Sequence, residues 1–351
     1  MKILILTWSA WAGHNSAAFA LESYAKKQWY DTHIEDISYF CFRWRLQKFF
    51  HKLFSEKIPR VGRIIFAISN AKRLRSVRNL LNSPTLQEKF ESLLEREKPD
   101  HIILTQKSWI PLLTKHLKKN TKNFSVSLFI CHYFYSIHSF WVMEPEYVDW
   151  YFVFDDESKK YLISEYNIPK EKVCVSFFPF DEDIFTQRET IGHKNILVLA
   201  TGLDIDFLMN IPKALKQEKW YQITFVWGRN TDDFKKVKQT YGSKKHISFH
   251  QTIDISKQLP KHDIFIGKPG WAILAECVAS QTPLFIPNHF LGEEDANVSL
   301  VQKYELGIYE TDRTKIDFLI RYLDRNKILP NFDNIRKKDS NKIIFDTIIT
   351  N

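Results

Sequence analysis

The sequence predicts an α/β fold in two domains, and three features of the chain support this prediction. Its 351 residues are too many for one typical core and suit two domains of ordinary size. Apolar runs typical of buried strands alternate with helical patterns. Each half opens with a strand, a turn and a helix, an arrangement that predicts two Rossmann-like domains facing a cleft. The polar stretch 187–194 separates the halves, so we expect domains at 1–190 and 191–351.

The elements of the first half follow from apolar periodicity and turn residues. The opening run 2–6 predicts a buried parallel strand, and Asn15 or Ser16 is placed to cap the helix that follows. Later patterns predict helix 85–97, strand 101–104, strand 125–130, strand 151–154, helix 155–166 and strand 173–177. The stretch 124–143 has no charged residue, but it is too polar for a membrane-spanning helix.

The second half repeats the alternation of strands and helices. Its patterns predict strands at 195–199, 222–226, 246–249, 263–266 and 284–286, a helix at 271–280 and a helical, lysine-rich tail at 309–351. Asp204 and Asp206 resemble a D-x-D metal motif. An N-cap and a first-turn acid before an apolar helix is the favoured interpretation of this pair.

Composition excludes several classes of protein. Hydrophobic residues make up 44% of the chain and charged residues 26%, as in a globular protein. The four cysteines are scattered without a C-x-x-C pair, which favours a reducing compartment over a disulfide scaffold or a zinc ribbon. The first apolar run is too short for a signal peptide, so we expect none.

The segment 43–78 holds eleven Lys or Arg residues and a single Glu, a charge of +10, so the rest of the chain contributes −1 to the net charge of +9. At its start, apolar residues at 42, 46, 49, 50, 53 and 54 fall on one face of a helix, and a second basic helix is predicted at 60–81. Four basic residues lie mostly off the apolar face: Arg43, Arg45, Lys48 and Lys52. A helix of this kind suits an anionic membrane surface.

Two alternatives compete with membrane binding for this basic segment. A core helix with a solvated basic face stays open. Nucleic-acid binding is disfavoured, because the aromatic residues form one helical stripe and no RNA-binding motif is present.

The stretch 267–297 carries the strongest chemical signal. A predicted strand stops at Lys268-Pro269-Gly270, and a helix begins directly after it. Backbone N–H groups at a helix N-terminus bind anions, and Lys268 adds a positive charge beside them. Four residues supply acceptors suited to the hydroxyls of a ribose or a hexose: Glu276, Glu293, Glu294 and Asn297. The stretch predicts a sugar-nucleotide pocket, and an ordinary β-turn-α unit with surface charges is the alternative.

These motifs, in this order, resemble the donor site of lipid-directed glycosyltransferases of the GT-B fold. The family contains the monogalactosyldiacylglycerol synthases and the diacylglycerol glucosyltransferases, with the lipid I N-acetylglucosaminyltransferase as a more distant relative. The resemblance rests on segments 268–270, 275–277, 282–284 and 292–297, and on Gly228-Arg229-Asn230 after a strand. Trp271 stands where the family has a second glycine, and Glu293 stands where it has glutamine.

The resemblance implies an inverting transfer of a hexose from a UDP-sugar to a diacylglycerol-like lipid, with no metal or other cofactor. Glu294 would hold the ribose hydroxyls, while Glu293 and Asn297 would face the hexose. Gln251 lies in the loop where relatives touch the uracil. Such an enzyme is expected in the cytoplasm, peripheral on the inner face of the membrane, with no nucleic-acid partner.

Two motifs of the N-terminal half carry the rest of the resemblance. Gly13-His14 follows the first strand as in the glycine-rich turn of the family, so His14 is the candidate general base. His138 and Trp141 match an H-x-x-W motif, which implies a place near the acceptor lipid. His132 and His138 could also be two ligands of a metal ion, but no third ligand follows at a spacing typical of metal sites.

Two other classes of function stay open. A soluble sugar-nucleotide epimerase would share this architecture but would leave the basic segment unexplained. A non-catalytic protein of the same fold is the second class, because glycines of the family are missing near Ala12, Asn167, Phe178 and Trp271.

Overall fold

The apolar runs form two six-stranded sheets in the computed structural model, and all of their pairings are parallel. The structure describes residues 1–8, 12–37, 84–137, 139–142, 144–185, 194–215, 221–228, 231–292, 294–312 and 339–350, together with 316, 332 and 335. The strands are β1 (Lys2–Thr7), β2 (Asp31–Asp36), β3 (His101–Leu104), β4 (Ser125–Phe129), β5 (Trp150–Val153), β6 (Val173–Val175), β7 (Lys194–Leu199), β8 (Tyr221–Val226), β9 (Ile247–His250), β10 (Ile264–Ile266), β11 (Leu284–Ile286) and β12 (Gly307–Tyr309).

Helices lie between most of these strands. Those in the described ranges are α1 (Ala12–Lys27), α2 (Pro84–Glu97), α3 (Ile110–Leu117), α4 (Asp156–Tyr166), α5 (Ile205–Ala214), α6 (Thr231–Tyr241), α7 (Ile255–Gln258), α8 (Trp271–Ser280), α9 (Asp295–Lys303) and α10 (Ser340–Ile349). None of them combines the length and the apolar character that crossing a bilayer requires. The predicted basic helices at 42–54 and 60–81 lie outside the described residues.

The chain divides into two compact units, which are described separately. Unit 1 comprises Met1–Asp181, Leu291–Ala296 and Asp339–Asn351, and unit 2 comprises Glu182–Phe290 and Asn297–Lys338. The predicted boundary at 190/191 falls outside the described residues and stays a prediction.

The last helix, α10, belongs to a different unit from the one predicted, because the sequence placed it in the C-terminal domain. It lies in unit 1, where Phe345 contacts two aromatic rings at the end of α1. The ring centroids are 5.1 Å apart for Tyr24 and 6.0 Å apart for Tyr30. Aromatic packing over a long sequence separation therefore decides where the tail lies, and the local sequence does not reveal it.

Strand order locates the expected site of unit 1. The order in its sheet is β2-β1-β3-β4-β5-β6, so the chain leaves β1 toward β2 and then crosses to the other side of β1. Open parallel sheets bind ligands at the carboxyl ends of the strands where the order reverses. That point lies between the ends of β1 and β3, where Leu6 is paired with Leu104.

Unit 2 has a switch point of the same kind. Its sheet has the order β12-β11-β10-β7-β8-β9, so the order reverses between β7 and β10. Val198 of β7 is paired with Ile266 of β10. The turn after β7 and the Lys268-Pro269-Gly270 segment after β10 therefore meet at one edge.

The central strands are buried on both faces, which explains their continuous apolar sequence. Ile3, Leu4 and Ile5 of β1 have no exposed surface, and neither has Phe265 or Ile266 of β10. Burying one such side chain contributes about 1.5–3 kcal/mol to folding. The predicted strands and the predicted helix at 271–280 are confirmed, with ends that differ by one or two residues at several strands.

The start of the first helix was predicted wrongly. α1 begins at Ala12, so Asn15 and Ser16 lie inside the helix and do not cap it. Asn15 instead accepts a hydrogen bond from Thr7 Oγ1 at 3.0 Å. The side chain that was assigned to a cap therefore ties the helix to the end of β1.

Asn167, at one of the missing glycine positions, takes the backbone conformation that a glycine would take. It ends α4 with φ 54° and ψ 35°, in the left-handed region, and its N–H donates to Ile163 O at 3.1 Å. Asparagine tolerates this region better than most residues. Trp271, at a second such position, is buried as the first residue of α8. These two replacements are compatible with the local backbone.

The left-handed conformation of Asn167 predicts an order of stability among its variants. Asn167→Ala should lower the free energy of unfolding by about 1 kcal/mol. Alanine is disfavoured in the left-handed region, because it lacks the short polar side chain that lets asparagine form local hydrogen bonds there. Asn167→Gly is the control and should cost less. Urea midpoints measured by circular dichroism test this order, and equal midpoints for the two variants would contradict it.

Candidate functional site

His14 lies at the switch point of unit 1. It is the third residue of α1, only 6% exposed, and its Nδ1 is 2.5 Å from Thr105 O, directly after β3. A carbonyl oxygen can only accept a hydrogen bond, so Nδ1 carries the proton. The lone pair of the neutral ring therefore lies on Nε2, which is the nitrogen able to act as a base.

Three rings, His14, His132 and Trp141, form a cluster that we call the ring triad. The centroids of each pair are 5.9 Å apart, and all three side chains are buried. His132 comes from the segment after β4, and Trp141 from a short turn at Ser139–Val142. The sequence predicted sites for His14 and Trp141 separately and left His132 without a role. Only the packing shows that His132 joins them.

Two polar groups lie in or beside the ring triad, the thiol of Cys131 and the indole N–H group of Trp141. The Cys131 thiol donates to Thr105 O at 3.6 Å, and burial raises the pKa of this thiol well above its usual value, which keeps it neutral. The Trp141 Nε1–H group is buried and has no hydrogen-bond partner within the described part of the chain. A neutral thiol and an indole N–H group thus lie beside His14.

Gly202 and Lys268 meet at the switch point of unit 2. Gly202 follows β7 with φ +75°, and a Cβ at this position would collide with Cε and Nζ of Lys268. The Lys268 side chain therefore lies directly against the glycine turn. Asn288, in the loop after β11, donates from Nδ2 to Gly202 O at 3.0 Å. Three loops at the carboxyl edge of the sheet are joined in this way.

The segment Lys268-Pro269-Gly270 leads into the N-terminus of a helix. Gly270 is the N-cap residue of α8 and has no side chain with which to cap it. Asn297 of α9 has no exposed surface, and its Nδ2 donates to Pro269 O at 2.8 Å. Its Oδ1 is buried without a partner among the described residues. The amide of Asn297 thus fixes the loop that precedes the helix.

Gly228 joins the ends of two further strands of unit 2. It follows β8 with φ +64°, and a Cβ there would lie 2.8 Å from Thr201 Oγ1. Its N–H donates to Gln251 O at 2.8 Å, just after β9. The Gln251 side chain is exposed. The structure therefore brings Gly228, Gln251, Lys268, Pro269 and Gly270 to the carboxyl edge of one sheet.

The remaining predicted site residues lie on other segments or outside the described residues. Glu276 is buried on α8, and Glu294 is half-buried in unit 1. The residues outside the described ranges are Arg43, Arg45, Lys48, Lys52, His138, Arg229, Asn230 and Glu293.

The interpretation of Asp204 as a helix cap is confirmed. It precedes α5, and its Oδ1 accepts a hydrogen bond from Phe207 N at 2.8 Å. This cap satisfies one of the first N–H groups of the helix. In the described ranges, no group of three or more His, Cys, Asp or Glu side chains could hold a metal ion.

The placement of Lys268 against Gly202 predicts coupling between the two positions. Gly202→Ala should lower the free energy of unfolding by about 1–3 kcal/mol, since it adds a Cβ at positive φ. Lys268→Ala removes the colliding atoms, so the double variant should lose less stability than the sum of the single variants, by at least about 0.5 kcal/mol. Chemical denaturation of the four proteins gives this cycle, and additive losses would show that Lys268 lies elsewhere.

The sequence of the chain is similar to a known family of enzymes. Residues 14–178 match the family model described as monogalactosyldiacylglycerol (MGDG) synthase. A processive diacylglycerol beta-glucosyltransferase of Bacillus cereus (strain B4264) is 23% identical over 246 residues, which are 66% of this chain and 61% of that relative. The chain thus spans less than two thirds of the length of this curated relative. These matches confirm the family resemblance that the motifs predicted.

Solved structures with the same fold cover the whole chain. The UDP-GlcNAc 2-epimerase of Neisseria meningitidis, bound to UDP-GlcNAc, has a TM-score of 0.62 at 14% identity and covers 100% of both chains. MurG of Acinetobacter baumannii has a TM-score of 0.63 at 13% identity and also covers 100% of both chains. At these identities the likeness concerns the fold alone. The predicted α/β fold of the GT-B type, with two Rossmann-like domains, is confirmed.

Proposed function

We propose, on the premise that this chain is a relative of the monogalactosyldiacylglycerol synthases, that it transfers a hexose from a UDP-sugar to a diacylglycerol-like lipid. The observation that carries the proposal is the switch point of unit 2, where Lys268 lies against the Gly202 turn beside the N-terminus of α8. A lysine next to the N-terminus of a helix suits a diphosphate, because both are positively polarised there.

The donor would bind with its diphosphate at this carboxyl edge. Lys268 and the first N–H groups of α8 would stabilise the negative charge that grows on the diphosphate as the bond to the sugar breaks. Gly228 and Gln251, at the ends of β8 and β9, lie along the same edge and would face the uridine. The carboxylates of Glu276 and Glu294 are proposed to accept hydrogen bonds from hydroxyls of the nucleotide sugar.

His14 would act as the general base of the transfer. Its Nε2 would take the proton of the acceptor hydroxyl as that oxygen attacks the anomeric carbon on the face opposite the UDP. The bond to the diphosphate breaks, UDP leaves with the electron pair, and the configuration at the anomeric carbon is inverted. Thr105 O, which holds Nδ1–H at 2.5 Å, would stabilise the imidazolium as it forms.

The acceptor is proposed to be an alcohol carried on a lipid. The curated relatives are named for diacylglycerol, and the family model described as MGDG synthase matches residues 14–178 in this half of the chain. The buried indole ring of Trp141 offers an apolar surface beside the base. The basic segment 43–78 supports docking on an anionic membrane surface, at the inner face on the cytoplasmic side, because each Lys or Arg near such a surface contributes about 1 kcal/mol.

A sugar-nucleotide epimerase is the second candidate. It is favoured by the similarity in fold to the UDP-GlcNAc 2-epimerase over the full length of both chains. An epimerase would need the donor site of unit 2 but no lipid. The sequence matches to lipid glycosyltransferases and the basic segment 43–78 give preference to the transferase.

Incubation with labelled UDP-hexoses and liposomes containing diacylglycerol tests the proposal. We expect a labelled lipid product with an inverted anomeric centre, found by extraction into organic solvent. His14→Gln should lower turnover by about 10² to 10⁴ and leave the affinity for UDP unchanged, because the base does not belong to the donor site. His246→Gln, at an exposed position before β9, is the matched control and should keep full turnover.

Other results of this assay would change the account. A water-soluble epimer of the donor, made without lipid, would establish the epimerase instead. Unchanged turnover in His14→Gln would remove His14 from the mechanism, even if the lipid product forms.

A further inference from the structure

The loop after β11 contains a side chain that no sequence motif singled out. Asn288 donates from Nδ2 to Gly202 O at 3.0 Å, across 86 positions of sequence. Because the backbone carbonyl can only accept, the orientation of the carboxamide is fixed, with its nitrogen toward Gly202. Its Oδ1 is then buried and has no partner in the described part of the chain. Burying an unpaired oxygen costs stability, so this contact calls for an explanation beyond packing.

Asn288 contacts the turn on which Lys268 rests. Gly202 is bound through its carbonyl by Asn288, while a Cβ at Gly202 would fit only if Cε and Nζ of Lys268 moved. The glycine turn therefore packs directly against the end of the Lys268 side chain. A small shift of the turn would move the charge away from the diphosphate, and contacts of this kind depend steeply on geometry.

We propose that Asn288 is a positioning residue of the diphosphate site, which acts through Gly202 and Lys268. This inference rests on the proposed function and adds a residue to its donor site. It assigns Asn288 to the phosphates of the donor and not to the uridine. Removing Asn288 should therefore weaken binding of a uridine diphosphate while binding of the nucleoside alone is kept.

The same sheet provides a matched control. Asn195, at the start of β7, donates from Nδ2 to Lys261 O at 3.1 Å. The bond has the same chemistry, a carboxamide on a backbone carbonyl in unit 2, but it lies at the amino edge of the sheet and is exposed. Asn195→Ala should thus remove an equivalent hydrogen bond without any effect on the diphosphate site.

Calorimetric or NMR titration of the full chain with UDP and with uridine tests the assignment. Asn288→Ala should weaken UDP binding by about tenfold, because the displaced Lys268 ammonium would lose a hydrogen bond to the charged diphosphate. Uridine affinity should stay within about twofold of the native value, and Asn195→Ala should change neither affinity. Asn288→Asp keeps the side-chain size and replaces the alanine variant if that variant does not fold. A carboxylate cannot donate to Gly202 O, so the same loss of UDP affinity is expected.

A double variant tests the route through Lys268. If Asn288 acts by placing the ammonium, then Asn288→Ala should cause no further loss of UDP affinity in a Lys268→Met background. Losses that add in the double variant would overturn this route.

The remaining outcomes separate the inference from the function on which it rests. Unchanged UDP affinity in both Asn288 variants would overturn the inference and leave the proposed function standing. Equal losses for UDP and uridine would overturn it in favour of a general structural role. Failure of the native protein to bind UDP at all would overturn the proposed function, and the inference with it.

Discussion

Parallel pairing of strands is the constraint on which both candidate sites depend. It places all carboxyl ends of a sheet at one edge, so residues far apart in sequence meet there without any local signal. His14 reaches Thr105 across 91 positions in unit 1, and Gly202 meets Lys268 and Asn288 in unit 2. Where the strand order reverses, the helices on either side diverge and leave room for a ligand.

Backbone carbonyls then fix the polar side chains at these edges. His14, Asn288 and Asn297 each donate one N–H group to a carbonyl oxygen, at distances of 2.5, 3.0 and 2.8 Å. A carbonyl accepts and never donates, so each bond decides which atom faces away from it. In His14 that atom is the basic Nε2. The backbone thereby selects the chemistry of the side chain, and the loops that carry Gly202 and Pro269 are tied to neighbouring elements.

The local sequence was sufficient to predict helices and strands wherever an apolar run ends at a residue that stops a regular element. Helix α8 and strand β11 agree with the prediction because Pro269, Gly270 and Pro283 delimit them. The N-cap role of Asp204 was equally readable from its position before an apolar helix. Asn15 shows the limit, since its oxygen is used by a residue of the preceding strand, and helix α1 begins three residues earlier.

Contacts over long sequence separations were not predictable from the sequence. His132 had no assigned role until the packing placed its ring 5.9 Å from both His14 and Trp141. Asn288 belongs to no motif that the sequence analysis identified. Its contact with Gly202 depends on the order of β11, β10 and β7 in the sheet, which the local sequence does not reveal. The return of α10 to unit 1 likewise depends on aromatic packing against α1. Each case requires the strand order or a tertiary contact, and local stretches of a single sequence do not encode these.

The central claim is that the carboxyl edge of the unit 2 sheet binds a uridine diphosphate. Hydrogen–deuterium exchange of the full chain with and without UDP tests it most directly. We expect slower exchange in peptides that cover 200–203 and 267–273, with no change at the amino edge of the same sheet, in 194–196 and 262–264. Protection at the amino edge, or no protection at either edge at a saturating concentration of UDP, would contradict it.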